Sequence, residues 1–149
     1  MGTITVKGII IEGHRVASAP SDDYPYGTLE KQKPYFKALG LDLKNFYNGT
    51  LNVSIYPHTF EMKNPEFTFE RVEWTELHPP ETFSFSRCTL IFNGIRYDSW
   101  VYYPHPETKI RHFENSSVVE ILTMYVPDIQ YGDEVEIELN EDEITVIAG

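Results

Sequence analysis

Asn48-Gly49-Thr50-Leu51-Asn52-Val53-Ser54-Ile55 joins a turn signal directly to an alternating pattern, and the rest of the chain is read outward from it. Asn and Gly both accept positive φ at little steric cost, so the pair turns the chain sharply. Leu51, Val53 and Ile55 then alternate with Asn52 and Ser54, which predicts a half-buried strand with one apolar and one polar face. Thr50 and Asn52 are two apart and share the polar face. A hydroxyl and an amide oxygen side by side at a strand mouth are hard oxygen donors of the kind Mg²⁺ takes, with water and phosphate oxygens completing its shell. The same two side chains would equally line the solvent face of an ordinary strand, and so short a spacing does not separate the two readings.

Beyond this strand the β pattern continues almost to the end. Segments 51–55, 67–74, 83–92, 95–103, 118–125, 135–139 and 144–147 are rich in β-branched and aromatic residues and predict strands. Asn93-Gly94, between Thr89-Leu90-Ile91-Phe92 and Ile95-Arg96-Tyr97, is the clearest two-residue hairpin. Upstream, Ile4, Val6, Ile9, Ile10 and Ile11 predict a first strand over 3–12, with Gly8 inside it marking a bulge or a close backbone approach. Residues 14–34 read as a long loop, of the length that in compact domains is functional or mobile. Lys33-Pro34-Tyr35-Phe36-Lys37-Ala38-Leu39-Gly40 reads as a short helix, with Pro34 in its first turn and Gly40 ending it. Many short strands with one or two short helices point to a mainly β protein closed or nearly closed into a barrel, which removes exposed edges.

The bulk composition narrows the partners. A chain of 149 residues is long enough to bury a core without disulfides or metal, and 1–149 reads as a single domain. Ten Tyr and nine Phe within 41% hydrophobic residues argue against disorder. The formal charge of −11 argues against a surface that coats nucleic acid or other polyanions, while leaving room for a local pocket that takes one nucleotide. The lone cysteine, Cys88, precludes an intrachain disulfide and reads as a buried strand thiol. No basic start with an apolar run follows Met1, and no apolar run reaches bilayer length, so a cytoplasmic protein without membrane contact is expected. His14, His58, His78, His105 and His112 show no tight ligand spacing, and there is no P-loop, nucleophile elbow or Rossmann fingerprint.

The order of the pieces carries more than any one piece. An initial strand, a long loop, a short Tyr/Phe helix ending in Leu39-Gly40, Gly49-Thr50-Leu51-Asn52-Val53, a later proline-rich loop, Val119-Glu120-Ile121-Leu122 and Gly132-Asp133-x-Val135-x-Ile137 follow one another. This set resembles the archaeal-type, CTP-dependent riboflavin kinase family, and the likeness runs from about residue 5 to 139. The resemblance implies a six-stranded cradle-loop β-barrel that phosphorylates riboflavin or a related small alcohol from CTP or another nucleoside triphosphate with Mg²⁺. By match, Thr50 and Asn52 hold the magnesium, and Thr108, His112 and Glu120 lie against the flavin. Phosphoryl transfer of this kind is mostly positioning and charge neutralisation. Glu120 would then orient the acceptor hydroxyl, and Arg15 or Lys31 would offset the charge that develops.

One departure from the family pattern bears on the nucleotide. The family's glycine-rich loop after the first strand corresponds here to Gly13-His14-Arg15-Val16-Ala17-Ser18, running on through Tyr26-Gly27-Thr28-Leu29 to Pro34. Adjacent N–H groups free of Cβ obstruction make a phosphate cradle, and only Gly13 and Gly27 are without a Cβ. Either His14, Arg15 or Lys31 supplies charge in place of the cradle, or the donor differs, or the protein is a non-catalytic barrel that binds a flavin-like ligand or another protein. For Glu120 two placements also stay open. It faces the barrel interior, where it must be paired or functional, or Val119 and Ile121 face inward and it faces out.

Overall fold

The computed structural model describes residues 2–11, 28–47, 49–75, 79–105 and 117–149. Nine strands and one helix occur among them: β1 (Thr3–Ile11), α1 (Thr28–Ala38), β2 (Thr50–Ser54), β3 (Thr59–Met62), β4 (Phe67–Val72), β5 (Glu81–Phe92), β6 (Ile95–Pro104), β7 (Val118–Leu122), β8 (Glu134–Asn140) and β9 (Ile144–Ile147). Seven strands form one antiparallel sheet in the order β4-β5-β6-β7-β2-β1-β8, and β8 pairs in turn with β5. That last pairing, Cys88–Leu139 through Ile91–Glu136, closes β5-β6-β7-β2-β1-β8 into a ring. β5 makes this possible by its length, since Phe83 and Phe85 pair with β4 while its later residues pair with β8. Asn93 and Gly94 both take positive φ, 52° and 76°, so the β5–β6 connection is the tight hairpin turn expected for this dipeptide.

Period-two alternation sends one set of side chains into the ring. Val6 and Ile10 of β1, Val53 of β2, Leu90 of β5, Val101 of β6, Val119 and Ile121 of β7, and Ile137 and Leu139 of β8 form its interior. Gly8 also faces inward. A Cβ there would collide with Val53 Cγ1 and lie 2.9 Å from the Ser54 carbonyl oxygen, so the close approach of β1 to β2 requires glycine. Cys88 lies in the same interior, and burial pushes its thiol pKa up, as befits an inert strand thiol.

The outward faces of β4, β5 and β6 carry the second core. Phe69, Phe83, Phe85, Trp100 and Tyr102 pack there against Leu29 and Phe36 of α1 and against Leu41 and Leu43 beyond it. A bulge between Phe69 and Val72, with Arg71 at φ 50°, adds the extra residue that lets both Phe69 and Val72 face the helix. Phe36 sits at the centre, its ring 5.1 and 5.0 Å from those of Phe83 and Phe85. Gln32, 2% exposed, accepts a hydrogen bond from Tyr102 Oη at 2.8 Å.

α1 begins earlier than the sequence predicted. Residues 28–32 are helical rather than loop, and Pro34 is inside the helix rather than in its first turn. Leu29, Gln32 and Phe36 share one face and bury it on the sheet, which outweighs the hydrogen bond lost at Pro34. Gly40, at φ 114°, ends the helix as expected. Its N–H donates to Lys37 O at 3.1 Å and that of Leu41 to Phe36 O at 2.9 Å, a paired cap that satisfies two terminal carbonyls. Lys33 Nζ donates to Phe46 O and ties the following loop to the helix. Burial lowers the Lys33 pKa, with Glu30 acting in the opposite direction.

β3 was not expected from the sequence, and its pairing with β9 makes a two-stranded ribbon. Phe60 and Ile144 of that ribbon are buried against the ring interior. Glu143, in the turn before β9, accepts from Ser86 Oγ at 2.5 Å and from Asn140 Nδ2 at 3.0 Å.

Candidate functional site

β2 and β7 pair antiparallel, with Thr50 opposite Leu122, Asn52 opposite Glu120 and Ser54 opposite Val118. Val119 and Ile121, 1% and 0% exposed, turn into the ring, which sends Glu120 outward. Of the two placements open from the sequence, the outward one holds. Glu120, Asn52 and Thr50 are therefore neighbours on one outer face, and all three are half-buried. Thr50 Oγ1 donates to Glu120 Oε1 across the diagonal at 3.3 Å, joining residues 70 apart in the chain. Ile11 pairs with Asn52, so the end of β1 lies beside this group.

The donor chemistry suits a hard cation. The Thr50 proton is committed to the carboxylate, which leaves the hydroxyl's lone pairs available, and Asn52 adds an amide oxygen. A hydroxyl, an amide and a carboxylate resemble the few protein oxygens with which Mg²⁺ is held when phosphates and waters complete the octahedron. A cluster of three or more His, Cys, Asp or Glu side chains able to hold a metal is absent among the described residues. Thr50, Asn52 and Glu120 are thus the residues that could hold one here, in company with a phosphate ligand.

The remaining expected site residues fall elsewhere. Gly13, His14, Arg15 and Gly27 lie in 12–27, and Thr108 and His112 in 106–116, outside the described residues. Lys31 is on the exposed side of α1. Sequence reading passed over a second polar cluster, in which Ser84 Oγ lies 2.7 Å from His105 Nε2 and 3.0 Å from Thr68 Oγ1. A hydroxyl beside an imidazole is the geometry of an activated nucleophile, but Ser84 is 0% exposed and its partners satisfy a buried hydroxyl. The signal was present as Ser84 and Ser86 interrupting an otherwise apolar inward row on β5.

No protein-family model matches the chain, and no curated protein matches it either. Among the described residues no helix is long and apolar enough to cross a membrane.

Proposed function

We propose that this protein is a six-stranded cradle-loop barrel of the CTP-dependent riboflavin kinase type, a Mg²⁺- and nucleotide-dependent phosphotransferase acting on riboflavin or a related small alcohol. The observation that carries this reading is the meeting of Thr50, Asn52 and Glu120 on one outer face, with Thr50 bonded to Glu120. Two segments singled out separately in the sequence become one oxygen-rich patch. The closed order of six antiparallel strands supports the same architecture.

When bound, the metal would neutralise phosphate charge, and Thr50 and Asn52 are the side chains that would hold it. Glu120 lies close enough to Thr50 to orient an acceptor hydroxyl beside the same phosphate. Arg15, which lies outside the described residues, is by the family resemblance the group that would offset charge on the transferred group. Incubation with riboflavin, Mg²⁺ and either CTP or ATP tests the proposal through formation of FMN. Absence of FMN with both donors would overturn it.

The scarcity of glycine in 12–27, with only Gly13 and Gly27, favours a second reading in which the fold is kept as a non-catalytic binding barrel. A thermal shift separates the two. A ligand at a hundred times its dissociation constant stabilises by about 2.7 kcal/mol, so Mg-CTP raises the midpoint of a kinase, whereas flavin alone raises that of a binding protein.

A further inference from the structure

The outer face of the ring carries a second surface, centred on the seam between β1 and β8. Ser54, Ile9 and Glu134 form one row across β2, β1 and β8, and Lys7, Glu136 and Ile91 form the next across β1, β8 and β5. Val6, Ile10, Val135 and Ile137 turn into the ring, so Lys7, Ile9, Glu134 and Glu136 all point out. A groove of about 430 Å³ lies over these rows, with Tyr56 on its β2 side and the Asn93-Gly94 turn on its β5 side. Tyr56 is 80% exposed, the most open of the large apolar side chains, and Ile9 on the groove floor is 37% exposed.

We propose that this face joins two copies of the chain in a two-fold dimer, each Tyr56 seated in the other copy's groove. The surface is complementary to itself. Its β1 half carries the cation Lys7 and its β8 half the carboxylates of Glu134 and Glu136, while its outer margins carry the open ring of Tyr56 and the half-buried Ile91. A two-fold axis lying along the β1–β8 seam exchanges the halves. Lys7 then meets Glu136 of the second copy, its own neighbour in the ladder, and Tyr56 meets the second copy's Ile91. Both contacts occur twice. Two chains of formal charge −11 repel one another, and the doubled Lys7–Glu136 contact offsets part of that repulsion where they touch. A tyrosine ring filling a pocket at the centre is the kind of anchor that carries most of an interface's energy. The inference is independent of the kinase reading, since it uses the Ser54 end of β2 while Thr50 and Asn52 lie toward the other.

Sedimentation velocity of the full chain over a concentration series reaching about 100 µM tests the proposal. The wild type should move from monomer to dimer across the series. Tyr56→Ser alters an exposed side chain and leaves the fold intact, as its circular dichroism would show, and should raise the dimer dissociation constant by about tenfold or more. Lys7→Glu sets like charges against one another and should weaken the dimer, and the swap Lys7→Glu/Glu136→Lys should restore it. A wild type that stays monomeric at about 100 µM overturns the proposal. So does a dimer that Tyr56→Ser leaves unchanged, which would place the contact on another face. A swap that fails to restore the dimer overturns the alignment along the seam. Saturable binding of a lysine-rich peptide by a monomeric wild type, lost in Glu134→Gln/Glu136→Gln, would give the groove to a basic partner and overturn the second copy as its occupant.

Discussion

The two cores are built from different side chains because they fill differently shaped spaces. The ring interior is largely aliphatic, with Val6, Ile10, Val53, Leu90, Val101, Val119, Ile121, Ile137 and Leu139. Diameter falls with strand number, and a ring of six strands is narrower than the eight whose interior side chains just fill, so slim branched residues fit it best. The slab between the sheet and α1 is instead packed with Phe36, Phe69, Phe83, Phe85, Trp74, Trp100 and Tyr102. Flat rings cover a sheet face broadly and meet edge to face. The enclosures differ too. Backbone ladders run all the way round the ring, whereas α1 is held to its sheet by side chains such as Phe36 and Gln32. A layer held this way opens first.

Intrinsic probes already divide the two. Trp74 and Trp100 belong to the α1 side, and Cys88 belongs to the ring. Phe36→Ala carries the largest expected cost, about 3–5 kcal/mol, since it empties the centre of the aromatic cluster. The tryptophan fluorescence transition in denaturant should then precede Cys88 labelling by a thiol reagent. Coincident transitions would show the two cores to be one cooperative unit. Leu90→Ala, fully buried in the ring, should cost about 2–5 kcal/mol and move both probes together, because α1 has nothing to rest on once the ring opens. A shift in Cys88 labelling alone would reverse the proposed order of dependence.

Gly8→Ala tests the ring from the opposite direction, by adding volume. The new methyl meets Val53 and the backbone of Ser54, so β1 and β2 must separate, at about 1–3 kcal/mol. If Thr50 and Asn52 hold Mg²⁺ as proposed, the change should weaken a thermal shift from Mg-CTP as well as lower the midpoint itself. An unchanged midpoint would mean that the ring has slack the packing does not show.

Much of this was legible, and the illegible parts share a cause. The Asn93-Gly94 turn, the alternation of β2 and β8, the burial of Cys88 and the tight approach at Gly8 are local facts written in residue type and spacing. β3 was missed because Thr59-Phe60-Glu61-Met62 is four residues between proline-containing turns, and only its pairing with β9 makes it a strand. The start of α1 was missed because Leu29, Gln32 and Phe36 make a thin apolar stripe interrupted by Pro34, and burial on a distant sheet stabilises it. The bulge at Arg71 left no turn signal. The site was half legible. Thr50 and Asn52 share a face by period alone, but alternation could not say which way Glu120 points, and contact across 70 residues depends on the β2–β7 register.

The smallest expected effect lies where the cores meet, and it has the opposite sign. Leu122 packs under α1 and Val126 in the ring, and Thr123 between them is 3% exposed. Its carbonyl accepts from Tyr47, but its hydroxyl is buried without a hydrogen-bond partner among the described residues. An orphaned buried hydroxyl has lost its water and gained nothing in return. Thr123→Val replaces that hydroxyl with a methyl of similar shape and should stabilise the protein by about 1 kcal/mol, where most core substitutions destabilise. The variant also separates packing from function at a residue one step from the Thr50–Leu122 pair. If the hydroxyl is merely tolerated, the midpoint rises and the Mg-CTP and riboflavin shifts are unchanged. If it is kept for a ligand, the midpoint rises while one of those shifts shrinks. A fall in the midpoint would mean that the hydroxyl is satisfied after all, and that the seam between the cores is packed as tightly as either of them.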